Sequence, residues 1–278
     1  MIAKDDRGRQ GSVQSKPYSF YIKQENEKIS EKNPICDVHG HRSDGRKVEE
    51  IRPVHLRTGV VTQAKGSSYF EKDGVKVICA VYGPRESQRK TEFSTKGRII
   101  CDVTFAPFSQ PTRQLKAEES KTKRLSDLLE TSLLCAVCLD SFPKSQVEVF
   151  VKVLEGSGDV LSGAIISSSL ALADAGIEMY DLVTACSLVY DEDYIALDPT
   201  YEEVNQDPLR GCLMLGYLPS LNRISCMIQN GTAATERNIV FIKKCIEGCI
   251  RMHAVMQDCL VNGSLKKEEQ QLSSKDLH

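Results

Sequence analysis

Hydrophobic and polar positions along this chain change period several times, and each change marks an element. Val147, Val149, Val151 and Val153 occupy every second position, the spacing of a strand with one buried face. After Gly156-Ser157-Gly158 the pattern turns into a block of small and apolar residues over 161–175. That block predicts a buried helix, and Gly176 supplies the left-handed residue that commonly closes one. Another β-type run opens at Asp181, so the stretch reads strand, tight turn, helix, strand. Ser167, Ser168 and Ser169, with Ala164, Ala171, Ala173 and Ala175, predict a helix that lies close against a sheet.

The same reading extends in both directions. Strand-type runs at 51–63, 67–72 and 75–82 precede it, the last two separated by Asp73-Gly74, a strong hairpin signal. Gly83-Pro84 is expected to end that strand and open a loop over 85–98. A strand follows at 99–105. A helix over 116–139 carries the apolar face Leu125, Leu128, Leu129, Leu133, Ala136 and Leu139, and Pro143 stops it. Beyond the central unit come strands at 182–190 and 194–197 around the acidic turn Asp191-Glu192-Asp193, then a pair at 211–218 and 223–229 closed by Asn230-Gly231. Thr235 is placed to cap a last helix with the stripe Ile239, Ile242, Ile246, Cys249, Ile250, Met256 and Leu260. Residues 1–43 read as a mobile polar tail with a short docking strand at 18–22, residues 44–262 as one α+β domain of mixed sheets with packed helices, and residues 263–278 as a charged C-terminal tail.

Composition then excludes whole classes. A formal net charge of -2 rules out a globally basic nucleic-acid protein, so any RNA contact must be a local patch or shared with other chains. No apolar run approaches the roughly 18 residues of a membrane span. The opening MIAKDDRGRQ lacks the apolar core of a signal peptide, so an intracellular location without membrane contact is expected. Most of the 11 cysteines sit within apolar runs, as Cys79, Cys101, Cys186 and Cys226 do, and read as small buried hydrophobes in a reducing compartment. Cys135 and Cys138 form a lone C-x-x-C in a helical pattern, and Cys36, His39 and His41 lie in a polar segment. Both sets have ligand chemistry, but neither makes a complete zinc site, so no metal and no cofactor is expected.

Two features carry candidate chemistry. The stretch 85–98 has five basic side chains, Arg85, Arg89, Lys90, Lys96 and Arg98, against Glu86 and Glu92. It is locally basic on a near-neutral chain. The second is the turn before the buried helix, where free N–H groups and the helix dipole favour an anion. There the sequence places Asp159, read as the N-cap of its own helix. Asp198, before Pro199, reads as a turn-former or a contact to metal or RNA. Asp174 reads as hydrogen-bonded near the helix end.

Several stretches resemble the ribonuclease PH family, in order and over nearly the whole domain. They are RPVHLRTGVVTQAKGSSYFEKDGVKVICAVYGPRE at 52–86, RIICDVTFAPF at 98–108, SSSLALADAGIEMYDLV at 167–183 and ALDPTYEE at 196–203. Within that family, GIEMYDLV and the Gly83-Pro84-Arg85-Glu86 strand end are similar to a ring subunit of the eukaryotic RNA exosome. The resemblance implies a ribonuclease PH-like fold, also described as ribosomal protein S5 domain 2-like. It also implies a hetero-hexameric ring with other ribonuclease PH-like exosome subunits, S1/KH cap subunits, and RNA in a central channel. The nucleus, nucleolus and cytoplasm are the places where such a ring is expected.

Active members of the family cleave the terminal nucleotide of RNA with inorganic phosphate, which needs cations to hold phosphate beside the RNA backbone and acids for the leaving 3' oxygen. Matched onto this chain, the expected phosphate-binding arginines fall at Leu161 and Glu130, and the paired acids at Asp198 and Val204. An apolar side chain cannot replace a guanidinium fork. The resemblance therefore implies a non-catalytic ring subunit that builds the RNA channel and supports 3'-to-5' RNA processing and degradation, rRNA processing included, with RNA contacts at Arg85, Arg89, Lys90 and Arg98. The alternative is an active phosphate-dependent 3'-to-5' exoribonuclease in which Glu203 is the second acid and Arg124 or Arg210 reaches the pocket.

Overall fold

The alternating valines form the axis of the first sheet. In the computed structural model, which describes residues 41–42, 44–86, 96–110, 119–191, 194–205 and 211–275, β5 (Ser145–Gly156) turns Val147, Val149, Val151 and Val153 into the core, each at most 1% exposed. The antiparallel neighbour of β5 is β3 (Val75–Glu86), and its parallel neighbour is β4 (Arg98–Phe105). With β1 (Val54–Thr58) and β2 (Gly66–Lys72) the sheet runs β1-β2-β3-β5-β4. A parallel pair needs a crossover, and α1 (Glu119–Leu134) supplies it between β4 and β5. Asp73-Gly74 makes the expected hairpin, with Lys72 opposite Val75 and Gly74 at φ 75°.

The central helix, α2 (Val160–Asp174), is buried along nearly its whole length. A helix that is apolar or small on every side must be covered on every side, and α2 packs on β2 and β3 of the first sheet and on β6 of the second. The serines let it approach closely. Ser68 donates to the Ser167 carbonyl at 2.6 Å, and Ser169 Oγ accepts from the Val183 N–H at 2.9 Å. At its end Gly176 adopts φ 68°, the left-handed cap its position called for.

The second sheet is antiparallel and ordered β7-β6-β8-β9, from β6 (Thr184–Tyr190), β7 (Ile195–Leu197), β8 (Gly211–Leu218) and β9 (Arg223–Asn230). A short helix, α3 (Tyr201–Asn205), follows β7. The last helix, α4 (Thr235–Lys275), covers the far side of β6 and β8. The layers are thus sheet, helix pair, sheet, helix.

Four sequence expectations need correction. The strand at 75–82 does not stop at Gly83-Pro84: β3 bulges between Tyr82 and Arg85 and rejoins the ladder, pairing Arg85 with Gln146. Gly83 makes this possible at φ 125°, where a Cβ would lie 2.8 Å from the Gln146 carbonyl oxygen. The helix expected over 116–139 ends at Leu134, and Leu139–Ser141 forms a separate 3-10 turn. Cys135 and Cys138 therefore lie past the helix, with Cys135 exposed rather than in the core. Thr235 is the first helical residue rather than a cap outside it, and α4 runs through the charged residues of the C-terminal stretch to Lys275. Finally, the folded part takes in Arg42, which is 1% exposed, ahead of the boundary expected at Asp44. The docking strand expected at 18–22, with Cys36 and His39, lies outside the described residues.

Candidate functional site

The turn from Gly156 to Asp159 joins β5 to α2, as its glycines and the change of period require. Its first N–H groups are already used: Gly156 donates to the Ser109 carbonyl and Ser157 to that of Gly74, at 2.9 and 2.8 Å. Asp159 is the N-cap, its Oδ1 accepting from the Ser162 N–H at 3.4 Å. Its Oδ2 is buried and has no hydrogen-bond partner among the described residues. A fixed anion at this end stabilises the helix dipole and opposes a second anion. Its charge also reaches Cys212 and Cys226, whose thiols are pushed up first by burial and further by Asp159. Leu161, two residues on, is 7% exposed and packs in the main core with Val160 and Ala164. The start of α2 thus holds an anion and a core side chain. Glu130 lies half-buried on α1.

Asp198 has another environment. It is 1% exposed and adopts φ 52°, a left-handed conformation that aspartate tolerates better than most residues. Its Oδ2 accepts from the Arg52 N–H at 2.8 Å and from Arg52 Nε at 3.1 Å, and its Oδ1 from Arg52 NH2 at 2.8 Å. Lys72 Nζ pairs with the same Oδ1, and Arg46 lies 3.6 Å from Oδ2. Burial alone would push this carboxyl up, but Lys72 and Arg52 overcome it and hold the group well below the usual carboxylate range. A neighbouring pair repeats the logic. Arg42, wholly buried, forms an ion pair with Glu203, which also accepts from the Thr200 N–H at 2.7 Å. Burial raises the Glu203 carboxyl, and the Arg42 hydrogen bond and the Thr200 N–H more than reverse it.

Together these contacts tie the segment before β1 to the end of β7 and the start of α3. Asp198 is a turn-former, as its place before Pro199 suggested, but its carboxylate is the centre of a buried ionic lock. The sequence reading did not identify Arg46, Arg52 and Lys72 as its partners, nor Arg42 as that of Glu203. One signal was available: Lys72 falls on the inward register of β2 with Ser68 and Phe70, and a lysine on a core-facing position calls for a buried counter-charge. Val204, the other expected acidic position, is 37% exposed and has no carboxylate to offer. Asp174, expected to bond local backbone or a partner, instead accepts from the distant Ser67 N–H at 3.0 Å.

The candidate RNA residues divide. Arg89 and Lys90 lie outside the described residues. Arg85 and Arg98, thirteen positions apart in sequence, are brought together by register: each is the ladder partner of Gln146, one from β3 and one from β4. All three therefore share the outer face of the first sheet at one end. Both arginines are exposed, and the Arg85 guanidinium lies 5.2 Å from the centre of the Tyr82 ring. Tyr82 in turn meets Phe150 edge to face at 5.9 Å.

No group of three or more ligating side chains that could hold a metal occurs among the described residues, and none of their helices is long and apolar enough to cross a membrane.

Comparison with known proteins fits this geometry. A family profile described as 3' exoribonuclease family, domain 1, matches residues 50–178. Exosome complex component MTR3 of Mus musculus is 31% identical over 280 residues, covering 95% of this chain and 97% of that protein. Exosome complex component RRP41-like of Arabidopsis thaliana is 36% identical over 233 residues, 84% of this chain and 89% of its own length. Among solved structures, rice Rrp46 superposes with a TM-score of 0.68 at 26% identity, covering 78% of this chain and 98% of that one. An Archaeoglobus fulgidus exosome with RNA bound to the active site shares the fold at 19% identity and a TM-score of 0.67. With the MTR3 likeness running almost end to end in both proteins, the chain belongs to the ribonuclease PH family of 3' exoribonucleases and their relatives.

Proposed function

We propose that this chain is a non-catalytic subunit of an RNA exosome ring, related to MTR3, which helps to form the RNA channel and supports 3'-to-5' RNA processing and degradation by the complex, including that of rRNA. Its partners in this reading are other ribonuclease PH-like subunits in a hetero-hexamer, S1/KH cap subunits and RNA. Its places of work are those of such a ring, the nucleus, nucleolus and cytoplasm. The observation that carries the reading is the state of the β5–α2 turn: Asp159 caps the helix with its own carboxylate while Leu161 packs in the core.

Phosphorolysis must bring one anion against another, and each lost cationic contact costs on the order of 2 to 4 kcal/mol of transition-state stabilisation. Here two such positions are Leu161 and Glu130, and the acid pair is reduced to one carboxylate already enclosed by cations. The competing reading, an active exoribonuclease, draws on the likeness to an RRP41-like chain and needs Glu203 as a free second acid. Glu203 is instead held by Arg42 and Thr200. Of the cations it would recruit, Arg124 is exposed on α1 and Arg210 lies outside the described residues. RNA contact is assigned to Arg85 and Arg98, whose exposure and shared register make one cationic end of the sheet, and to Arg89 and Lys90 between them in sequence.

The test is to incubate the purified chain, alone and with co-expressed ring subunits, with RNA and inorganic phosphate, with and without magnesium. No release of nucleoside diphosphates that depends on this chain is expected. Phosphate-dependent release by the isolated chain would overturn the proposal.

A further inference from the structure

The two faces of the first sheet differ. Helices α1, α2 and α4 meet it on the core side, where Leu133, Ile165 and Met256 share one apolar cluster with the valines of β5. Among the described residues no helix lies on the other face, and side chains that alternate outward stay open there. Ile100 is 39% exposed and Phe150 42%. Phe150 stands on β5, an interior strand of the sheet, so a large ring faces water in the middle of a flat surface rather than at a loop tip.

Register sets the outward side chains in rows. Arg98, Gln146 and Arg85 form the first row across β4, β5 and β3, then Ile100, Glu148 and Tyr82 the second, then Asp102, Phe150 and Ala80 the third. Four residues of strand span about 13 Å, the separation between the arginine row and Phe150. The rings and cations are also linked directly. Tyr82 meets Phe150 at 5.9 Å with the planes 70° apart, and the Arg85 guanidinium lies 5.2 Å from the centre of the Tyr82 ring. An edge-to-face contact sandwiches neither ring, so Tyr82 braces Phe150 and leaves part of its surface free for a planar group.

The charges around Phe150 decide what that group is. The buried centre of a protein interface is depleted of charge, yet Phe150 has Asp102 beside it on β4 and Glu148 and Lys152 two positions away on its own strand. A protein laid over the ring would have to desolvate all three. A single flat base covers only the ring, and the phosphate it carries can lie at the arginine row. Asp102 and Glu148 disfavour a phosphate beside the ring itself, which orients the backbone towards Arg85 and Arg98.

We propose that the outer face of the first sheet is a stacking platform for single-stranded RNA, with a base on Phe150, Tyr82 holding that ring in place, and phosphates at Arg85 and Arg98. This rests on the RNA contact assigned above to the two arginines and extends it from the backbone to a base. Every base has a π-face, so stacking of this kind holds RNA with little preference for sequence.

The experiment measures binding of a labelled oligouridylate by the assembled ring containing the full chain, next to a strand of equal length that keeps the phosphates but lacks the bases. Wild type is compared with Phe150→Ala, Phe150→Leu and Phe150→Trp, all at an exposed position outside the core, with thermal melting and size-exclusion chromatography to follow folding and assembly. The expected results are that Phe150→Ala and Phe150→Leu weaken oligouridylate binding about tenfold with the salt slope unchanged, that Phe150→Trp binds as wild type or tighter, and that all four bind the baseless strand alike. If Phe150→Ala or Phe150→Leu binds oligouridylate as wild type does, or if the baseless strand is weakened equally, no base stacks on Phe150 and the inference falls, while the arginine contacts stand on their own salt-dependent test. If Phe150→Ala instead loses a subunit from the ring, the face is a protein interface and the inference falls as well. A wild-type ring that binds no RNA, or a chain that joins no ring, overturns the reading beneath it too.

Discussion

Replacing Asp198 by asparagine separates a structural acid from a catalytic one. Asparagine keeps the shape, one carbonyl acceptor and tolerance of the left-handed backbone at φ 52°. It removes the charge and replaces one acceptor oxygen by an N–H donor that meets donors on this side. What remains is a site in which the Lys72 and Arg52 side chains, 7% and 5% exposed, have lost their shared counter-ion. Removing one member of a buried ion pair costs about 3–5 kcal/mol because the other is left uncompensated. The amide oxygen retains part of the hydrogen bonding, so the lower end, about 3 kcal/mol, is the expected loss. A domain is stable by only about 5–15 kcal/mol, and at roughly 2–4 °C per kcal/mol for a domain near this size the melting temperature should fall by roughly 6–12 °C. The assay is a thermal melt at neutral pH, paired with nuclease measurements on the assembled complex. The melting temperature should drop while nuclease activity per assembled complex stays the same. A variant that melts with wild type would refute the ionic lock. Phosphate-dependent release of nucleoside diphosphates by the wild-type complex that disappears in the variant would refute the non-catalytic reading as well.

Two further outcomes follow from the same geometry. Asp198 and Glu203 both titrate below their ordinary values of 3.8 and 4.5, so their contribution is complete above those values and is lost as pH falls through the depressed folded-state ones. Melting temperature should therefore decline as the pH is lowered from about 4.5, and Asp198→Asn should flatten that decline; an equally steep decline in the variant would remove Asp198 from the account. In an assembled ring, Arg85→Glu with Arg98→Glu should weaken RNA binding and make its salt dependence shallower by about 1–2 units of log–log slope, with folding intact because both side chains are exposed. Unchanged affinity and slope would reduce the pair to a solvated edge.

Local pattern was enough to read the core of this protein. The alternating valines of β5, the Asp73-Gly74 hairpin, the all-round buried helix with its serines and the cap at Gly176 each depend on a few neighbouring residues and their periodicity, and those physical preferences survive in the fold. The family resemblance rested on the same stretches, and with it came the expectation that phosphate contacts are replaced at Leu161 and Glu130. The failures have a common form. Gly83-Pro84 reads as a strand end because proline removes a donor, yet β5 alongside offers Gln146 and Ser145 as partners and carries the strand on to Glu86. The helix at 116–139 reads as continuous because its leucines keep their spacing, and only packing decides that it stops at Leu134. Asp198 is the strongest case. Its carboxylate is enclosed by Arg46 and Arg52 from the segment before β1 and by Lys72 from the end of β2, well over a hundred positions away in sequence. Charges that meet across such distances leave no periodic trace, so the partners of a buried ion are decided only when the sheets assemble.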